Sequence, residues 1–180
     1  MPRSLGVVSL ESINVRGHFV RHRGFLGELT PITNDLDRDD STFNVVPGLI
    51  DPRFVTFEAI NFPGFFLRHQ DFVLKLQDPP FAHDTRPLPP DKAAQRKQFF
   101  EDATFILRLG LADPTAVSFR SFQSFGDRFD RFIRHRDFKL VLDHFGDPPS
   151  GEQTKNGTFR VVAPNSSKPP PPDTPPPPTG

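Results

Sequence analysis

The chain has 180 residues with 22 basic and 22 acidic side chains, and its net charge of zero excludes a strong field that would attract nucleic acid or an anionic membrane. It contains no cysteine, which excludes disulfides, so core packing must stabilise the fold, and 21 phenylalanines help to supply that core. No apolar run approaches the length of a membrane span, and the first residues lack the hydrophobic stretch of a signal peptide.

An eleven-residue phrase occurs three times along the chain. It is Phe-(Val/Leu/Ile)-Arg-His-x-x-Phe-x-x-x-Leu, and its copies span 19–29, 66–76 and 132–142. Such a pattern indicates an internal repeat, which sets the architecture. Longer loops at 79–98 and 126–130 explain why the repeat spacing is uneven.

Short stretches of alternating apolar and polar residues predict about four strands in each unit. The first strand precedes the phrase, the second and third lie within it, and the fourth begins at the end of 40–43, 102–105 or 156–159. Three units of four strands predict an all-β fold, specifically a β-trefoil over residues 4–163. The expected units are 4–52, 53–114 and 115–163.

We expect Phe19, Phe25, Leu29, Phe43 and their equivalents in the other units, including Phe72, to form much of the core. The only predicted helix lies within 90–100, where good helix formers occur in the insertion of unit two, and a loop is the alternative.

The segment 164–180 is rich in proline and predicts an extended polyproline II or disordered tail. It is interpreted as a linker to a further domain. A ligand for a polyproline-binding module is the alternative.

The segment from Phe62 to His69, followed by the alternating Phe72, Leu74 and Leu76 and by 102–105, resembles the arabinose-binding domain of α-L-arabinofuranosidase B, the family-42 carbohydrate-binding module. The resemblance covers about 4–163. It implies a β-trefoil that binds arabinofuranose side chains of polysaccharides such as arabinoxylan, with one shallow pocket per unit. It also implies an extracellular protein.

Carried over from the family, the polar groups of the pockets fall on one histidine and one acid or amide per unit. The pairs are His22 with Asp40, His69 with Asp102, and His135 with Asn156. The chemistry suits a furanose, because a carboxylate accepts hydrogen bonds from hydroxyls, an imidazole donates or accepts, and an aromatic ring covers the C–H face. The alternative is that each histidine anchors a loop through backbone hydrogen bonds.

The chain departs from the family where tyrosine is common. Arg23, Gln70 and Arg136 follow the histidines, and Phe65 stands in the preceding turn. The hydroxyls of tyrosine are therefore absent, although phenylalanine can still stack on a sugar.

We expect unit two to hold the best pocket, because it has His69, Asp102 and the turn 62–64. Unit one has Asp39 as a nearby second acid, and unit three lacks the carboxylate. The repeated Arg21, Arg68 and Arg134 are expected to be structural and to pair with acids such as Glu11 and Glu58.

No enzyme is predicted, because a glycosidase needs two carboxylates at one cleft and the acids here are distributed over three units. His83 and Asp84 in the long loop of unit two are a weak candidate for metal binding. We expect neither a metal site nor a cofactor. The expected partner is a glycan rather than nucleic acid or a membrane. The alternative function is a degenerate β-trefoil that acts as a scaffold for protein contacts.

Overall fold

The computed structural model describes residues 5–146 and 148–172. Unit one comprises β1 (Gly6–Ser12), β2 (His18–Arg23), β3 (Leu26–Pro31), α1 (Asp35–Asp40) and β4 (Phe43–Pro47). Unit two comprises β5 (Val55–Ala59), β6 (Phe66–Gln70), β7 (Val73–Gln77), α2 (Pro90–Asp102) and β8 (Phe105–Leu109). Unit three comprises β9 (Val117–Ser121), β10 (Phe132–Arg136), β11 (Lys139–Asp143), α3 (Gly151–Thr154), a 3₁₀ turn (Lys155–Gly157) and β12 (Phe159–Val162).

The outer strands of the three units form a closed antiparallel barrel. Going around it, β1 pairs with β4, β4 with β5, β5 with β8, β8 with β9, β9 with β12, and β12 with β1. The inner strands form the hairpins β2–β3, β6–β7 and β10–β11, and these hairpins pair with one another through β3, β7 and β11. A barrel capped by three hairpins is a β-trefoil, so the predicted fold is confirmed.

The core lies inside the barrel and beneath the hairpins. Each unit contributes the same positions to it. The large buried side chains include Leu29, Leu76, Leu142, Phe43, Phe105, Phe159, Phe57 and Phe119. Burial of these residues removes most of the large apolar area from water, which is the main favourable term in folding.

The prediction that Phe25, Phe72 and Phe138 belong to the core is wrong. Their side chains are 47%, 44% and 54% exposed. Each has a positive φ of 61° and lies at the tip of a hairpin. The residue before it, Gly24, Asp71 or Asp137, also has a positive φ. Two consecutive left-handed residues are typical of a tight hairpin turn, which takes the ring out of the strand alternation.

The hairpin tips are connected in a ring by backbone hydrogen bonds. The N–H of Leu76 donates to the carbonyl of Phe25, that of Leu142 to Phe72, and that of Leu29 to Phe138. Each tip is therefore held by the unit that follows it, with unit one following unit three.

A helix precedes the fourth strand in every unit, whereas only the one in unit two was predicted. The first, α1, is capped by Asn34, whose Oδ1 accepts a hydrogen bond from the N–H of Asp37 at 2.8 Å. The third, α3, is capped by Ser150 in the same way. These helices are too short to show a helical period in the sequence, although their capping residues are visible there.

The chain beyond residue 163 contacts unit one. The N–H of Asn165 donates to Ser9, and the N–H of Ser166 donates to Thr42, both at 3.0 Å. Ser166 Oγ donates to Asp39 at 2.6 Å. The folded part therefore continues past the expected boundary, while residues 173–180 of the predicted tail lie outside the described part of the chain. No helix among the described residues is long and apolar enough to cross a membrane.

Candidate functional site

The three repeated histidines lie at the ends of β2, β6 and β10 and are buried. His22, His69 and His135 are 3%, 5% and 8% exposed. Each points to the same side of its hairpin as the buried leucines and is followed by an exposed residue. Their equivalent positions create three related sites around the trefoil.

In the first site a side-chain amide connects the predicted pair. His22 Nε2 lies 3.0 Å from Asn61 Oδ1, and Asn61 Nδ2 donates to Asp40 Oδ1 at 2.8 Å. His22 Nε2 is 3.6 Å from Asp40 Oδ1. Because the amide nitrogen donates to the carboxylate, its oxygen must accept from the imidazole, and His22 therefore carries hydrogen on Nε2.

The second site repeats this arrangement with a glutamine. His69 Nε2 lies 2.9 Å from Gln123 Oε1, and Gln123 Nε2 donates to Asp102 Oδ1 at 2.5 Å. The imidazole and the carboxylate are 3.9 Å apart. Gln98 also donates to the same carboxylate at 2.8 Å.

The third site has an amide in place of the carboxylate. His135 Nε2 lies 2.9 Å from Asn14 Oδ1, and Asn14 Nδ2 donates to Asn156 Oδ1 at 2.8 Å. The structure thus brings His135 and Asn156 together through Asn14. None of these three side chains carries a charge when His135 is neutral.

The bridging amides were missed in the sequence, and each comes from the next unit. Asn14, Asn61 and Gln123 all stand two residues after the first strand of their unit, in the segments 12–14, 59–61 and 121–123. An amide at this place in all three repeats was the available signal. Each site is therefore built across the boundary between two units.

The repeated arginines pair with the site aspartates, which differs from the expectation that Glu11 and Glu58 would be their partners. Arg21 contacts Asp37 and Asp40, each at 2.5 Å, and Arg68 contacts Asp102. Glu11 instead accepts from the N–H of Gly17 at 3.1 Å. The reason is that the helix before the fourth strand brings its last residue over the arginine.

In the part of the chain that the structure describes, Arg134 lacks the aspartate before the fourth strand, because Asn156 occupies the equivalent position. Asp143 lies 3.9 Å from its Nη1 and also binds Arg136. The guanidinium of Arg134 lies over the ring of Phe145.

Phenylalanine rings border the first site. Phe62 contacts His22 with ring centres 5.6 Å apart, and Phe25 lies 5.5 Å from Phe62 and 6.0 Å from Phe65. The turn 62–64 therefore belongs to the site of His22. The expectation that it would complete the site of His69 is wrong, because each turn reaches back to the histidine of the preceding unit.

The second site has fewer rings and a cation. Phe125 lies 5.7 Å from His69 and 5.2 Å from Phe72, and Arg131 stacks over both phenylalanine rings at 5.0 Å. The insertion of unit two reaches this site only through Gln98, which binds Asp102, whereas Phe99 of α2 lies under Arg68 on the other face of β6.

The third site has His18 and Val15 where the first has Phe65 and Phe62. His18 lies 5.7 Å from Phe138, with a ring tilt of 35° that matches the 33° between Phe25 and Phe65. The expected second acid of unit one, Asp39, faces away from the sites and contacts Ser166 and Lys168.

Burial keeps the imidazoles neutral. It lowers the pKa of His22 and His69 below the ordinary value, against the opposing effect of Asp40 and Asp102. Burial, with Arg134 and His18 adding to it, lowers the pKa of His135 to about 4. No carboxylate opposes the lowering of the pKa at the third site.

Among the described residues, no three histidine or acidic side chains come together in a way that could hold a metal. At the weak candidate His83–Asp84, the carboxylate of Asp84 accepts from Arg86 instead. Two surface cavities, of about 260 and 320 Å³, lie beside Phe129 and beside Phe138. Neither is lined by His22 or His69.

Comparison with known proteins identifies relatives over nearly the whole folded region. The sequence pattern of the alpha-L-arabinofuranosidase B (ABFB) domain matches residues 8–161. Residues of the anti-sigma-I factor RsgI5 of Acetivibrio thermocellus are 39% identical over 49 positions, which is 27% of this chain and 10% of that protein.

Solved structures show the same fold at low identity. An arabinofuranosidase complexed with arabinofuranosyl-alpha-1,2-xylobiose superposes with a TM-score of 0.70 and 22% identity over 90% of this chain. The protein named BEL beta-trefoil superposes with a TM-score of 0.59 and 9% identity, covering 90% of this chain and 95% of its own. The chain spans only 32% of the length of the arabinofuranosidase in the complex with arabinofuranosyl-alpha-1,2-xylobiose.

Proposed function

Because the chain belongs to the alpha-L-arabinofuranosidase B (ABFB) domain family, we propose that it is a non-catalytic carbohydrate-binding module for arabinofuranose-type side chains of polysaccharides. The proposed binding residues are His22 with Asp40, His69 with Asp102, and His135 with Asn156. Asn61, Gln123 and Asn14 join them, because each amide connects the members of one pair.

The observation that carries the proposal is the threefold recurrence of one constellation. Every unit places a buried imidazole, a bridging amide and a carboxylate or second amide beside one or more exposed rings. A sugar hydroxyl both donates and accepts, so it matches the imidazole and the carboxylate, while a phenylalanine ring covers the C–H face.

The rings rank the sites for a neutral sugar. The first site combines Asp40 with Phe25, Phe62 and Phe65, so it should bind best. The second should follow, and the third should be weakest because a hydrogen bond to a neutral acceptor contributes less than one to a charged acceptor. Individual sites should be weak, since the phenol hydroxyls of tyrosine are missing.

The arrangement of the acids supports binding without catalysis. Hydrolysis of a glycoside requires two carboxyl groups about 5–9.5 Å apart on either side of the bond. Asp40 and Asp102 each lie in a separate site and are already engaged by an arginine and an amide. Neither is positioned as a free acid or nucleophile.

Affinity electrophoresis tests the proposal. We expect arabinoxylan in the gel to retard the protein, and xylan stripped of its arabinose branches to retard it much less. Phe62→Ala should weaken the retardation, because it removes a ring from the best site. Equal mobility in gels with and without arabinoxylan would contradict the proposal.

The exposed rings at the hairpin tips favour one alternative, a scaffold for protein contacts. Phe25, Phe72 and Phe138 are about half exposed and occupy the same place in all three hairpins. A glycan array separates the two functions, since a scaffold would bind no glycan on it.

A further inference from the structure

The charge around the repeated arginine differs among the three sites. Arg21 faces two carboxylates, Asp37 and Asp40, and Arg68 faces one, Asp102. At the third site Asn156 stands where Asp40 and Asp102 stand. Among the described residues, the third site thus lacks the carboxylate before the fourth strand that neutralises the arginine in the other two.

The remaining acid near the third arginine only partly replaces the missing carboxylate. Asp143 lies 3.9 Å from Arg134 and is shared with Arg136. Two cationic groups therefore share one carboxylate. The guanidinium of Arg134 is also partly buried, with 12% of its side chain exposed, so water screens its charge less than at the surface.

The polar chain of the third site contributes no negative charge either. It consists of His135, Asn14 and Asn156, and Ser12 donates to Asn14 at 2.9 Å. Burial lowers the pKa of His135, and Arg134 and His18 lower it further.

The third site also has open space next to it. His18 and Phe138 form the edge of a cavity of about 320 Å³ that continues past Arg23 and Lys139. This volume is at the lower end of the range for small-ligand pockets. Two acids line it as well: Glu28, which is 3.4 Å from Arg23, and Asp137, which precedes Phe138 in the turn.

We propose that the third site binds a sugar that carries a carboxylate, such as a uronic acid residue, whereas the first two sites bind neutral sugars. The proposal rests on the proposed carbohydrate-binding function. A ligand carboxylate beside His18 and Phe138 would supply, on the open side of the site, the charge that Asn156 does not. At the other sites Asp40 and Asp102 would repel the same ligand.

Titration of the ¹⁵N-labelled protein, followed by NMR, tests the proposal. The probes are methyl β-D-glucuronide, its neutral counterpart methyl β-D-glucoside, and methyl α-L-arabinofuranoside, at constant ionic strength. We expect the glucuronide to shift the signals of Asn14, His18 and Asn156 and to bind there roughly tenfold more tightly than the glucoside. The arabinofuranoside should shift the signals of Asn61 and Gln123.

A single substitution isolates the role of charge. Asn156→Asp restores the carboxylate and should reduce glucuronide binding roughly tenfold, while the shifts caused by the arabinofuranoside at Asn61 and Gln123 persist. Gln95→Glu is the matched control, because it adds the same charge at an exposed position of α2, in another unit. It should leave glucuronide binding nearly unchanged.

The outcomes separate this inference from the proposed function. Arabinofuranoside binding without glucuronide binding at the third site would overturn the inference alone. Glucuronide binding that survives Asn156→Asp would overturn its electrostatic basis. Glucuronide binding without arabinofuranoside binding would support the inference and contradict the proposed function, and binding of neither would overturn both.

Discussion

At the scale of single residues, the hairpin tips show how one turn changes the role of a side chain. Phe72 was expected to alternate with Leu74 and Leu76 on the core side of a strand. The left-handed pair Asp71–Phe72 instead ends the alternation and exposes the ring beside Phe125. Left-handed non-glycine residues are uncommon and concentrate at functional sites.

Substitution at this tip should therefore cost little stability. We expect Phe72→Ala to lower the free energy of unfolding by no more than about 1 kcal/mol, because nearly half of the ring is already in water. Leu74→Ala, at a fully buried position two residues away, should lower it by about 2–5 kcal/mol. Urea denaturation of both variants measures the difference, and equal losses would show that the ring is buried in solution.

The bridging amides give a second prediction at this scale. Asn61→Ala should lower the free energy of unfolding by about 1–3 kcal/mol, since it leaves the buried polar groups of His22 and Asp40 without their shared partner. Gln70→Ala is the control, because this exposed amide contacts only the end of Lys75 and should change stability little. A loss no larger than that of the control would mean that water replaces the amide at no cost.

Burial of the imidazoles predicts a loss of stability in mild acid. The folded-state pKa of His135 is about 4, below the ordinary value of 6.5, so the unfolded chain binds a proton more readily than the folded protein does. The stability that this pKa difference contributes is complete above pH 6.5, and it is lost as the pH falls from 6.5 towards 4. His22 and His69 shift in the same direction.

Melting temperatures measured between pH 7 and pH 4 should fall, and His135→Gln should make the decline shallower. A melting temperature independent of pH in this range would contradict the assignment.

At the scale of elements, the strands were largely predictable and the site was only partly so. Alternation located the strands because one face of each is buried, and the triple phrase located His22, His69 and His135. The partners of these residues could not be found in this way, because Asn61 and Gln123 reach their histidines only when the next unit folds against the hairpin. Likewise α1 brings Asp40 onto Arg21, and a helix of that length shows no period in the sequence.

The segment that follows β12 packs against unit one. Ser166 is buried, its Oγ donates to Asp39 of α1, and its N–H donates to Thr42. We expect Ser166→Ala to lower the free energy of unfolding by about 1–3 kcal/mol, because the charged carboxylate of Asp39 loses the hydroxyl that donates a partly buried hydrogen bond to it. Ser167→Ala, at an exposed neighbouring position, is the matched control and should change it little. Equal effects of the two changes in thermal unfolding would show that the segment is not held against α1.

At the scale of the whole molecule, the three proposed sites lie on one rigid body, and we therefore expect binding by avidity. The ring of hydrogen bonds between the hairpin tips fixes the sites relative to one another. A branched polymer can then occupy several at once, and overall affinity can exceed that of one site by roughly 10²–10⁴.

Removing one ring from each of the two carboxylate-containing sites tests this avidity. Phe62→Ala or Phe125→Ala alone should reduce affinity for arabinoxylan moderately, and the double variant should lose most of the avidity gain. Phe54→Ala serves as the control, because its ring contacts Phe122 and Arg53 outside the sites. Isothermal titration with arabinoxylan and with a single-branch oligosaccharide measures the affinity for the polymer and the affinity of a single site. The same affinity for polymer and oligosaccharide would exclude avidity.

We propose that sugar binds at the sites built across unit boundaries around His22 and His69. NMR titration with arabinofuranosyl-α-1,2-xylobiose tests this binding, because each site has its own amide signals. We expect shifts to cluster at Asn61, Phe62 and Phe65 and at Gln123 and Phe125, with the first cluster saturating at lower ligand concentration. Shifts confined to other surfaces, or none at ligand concentrations on the order of tens of millimolar, would contradict it.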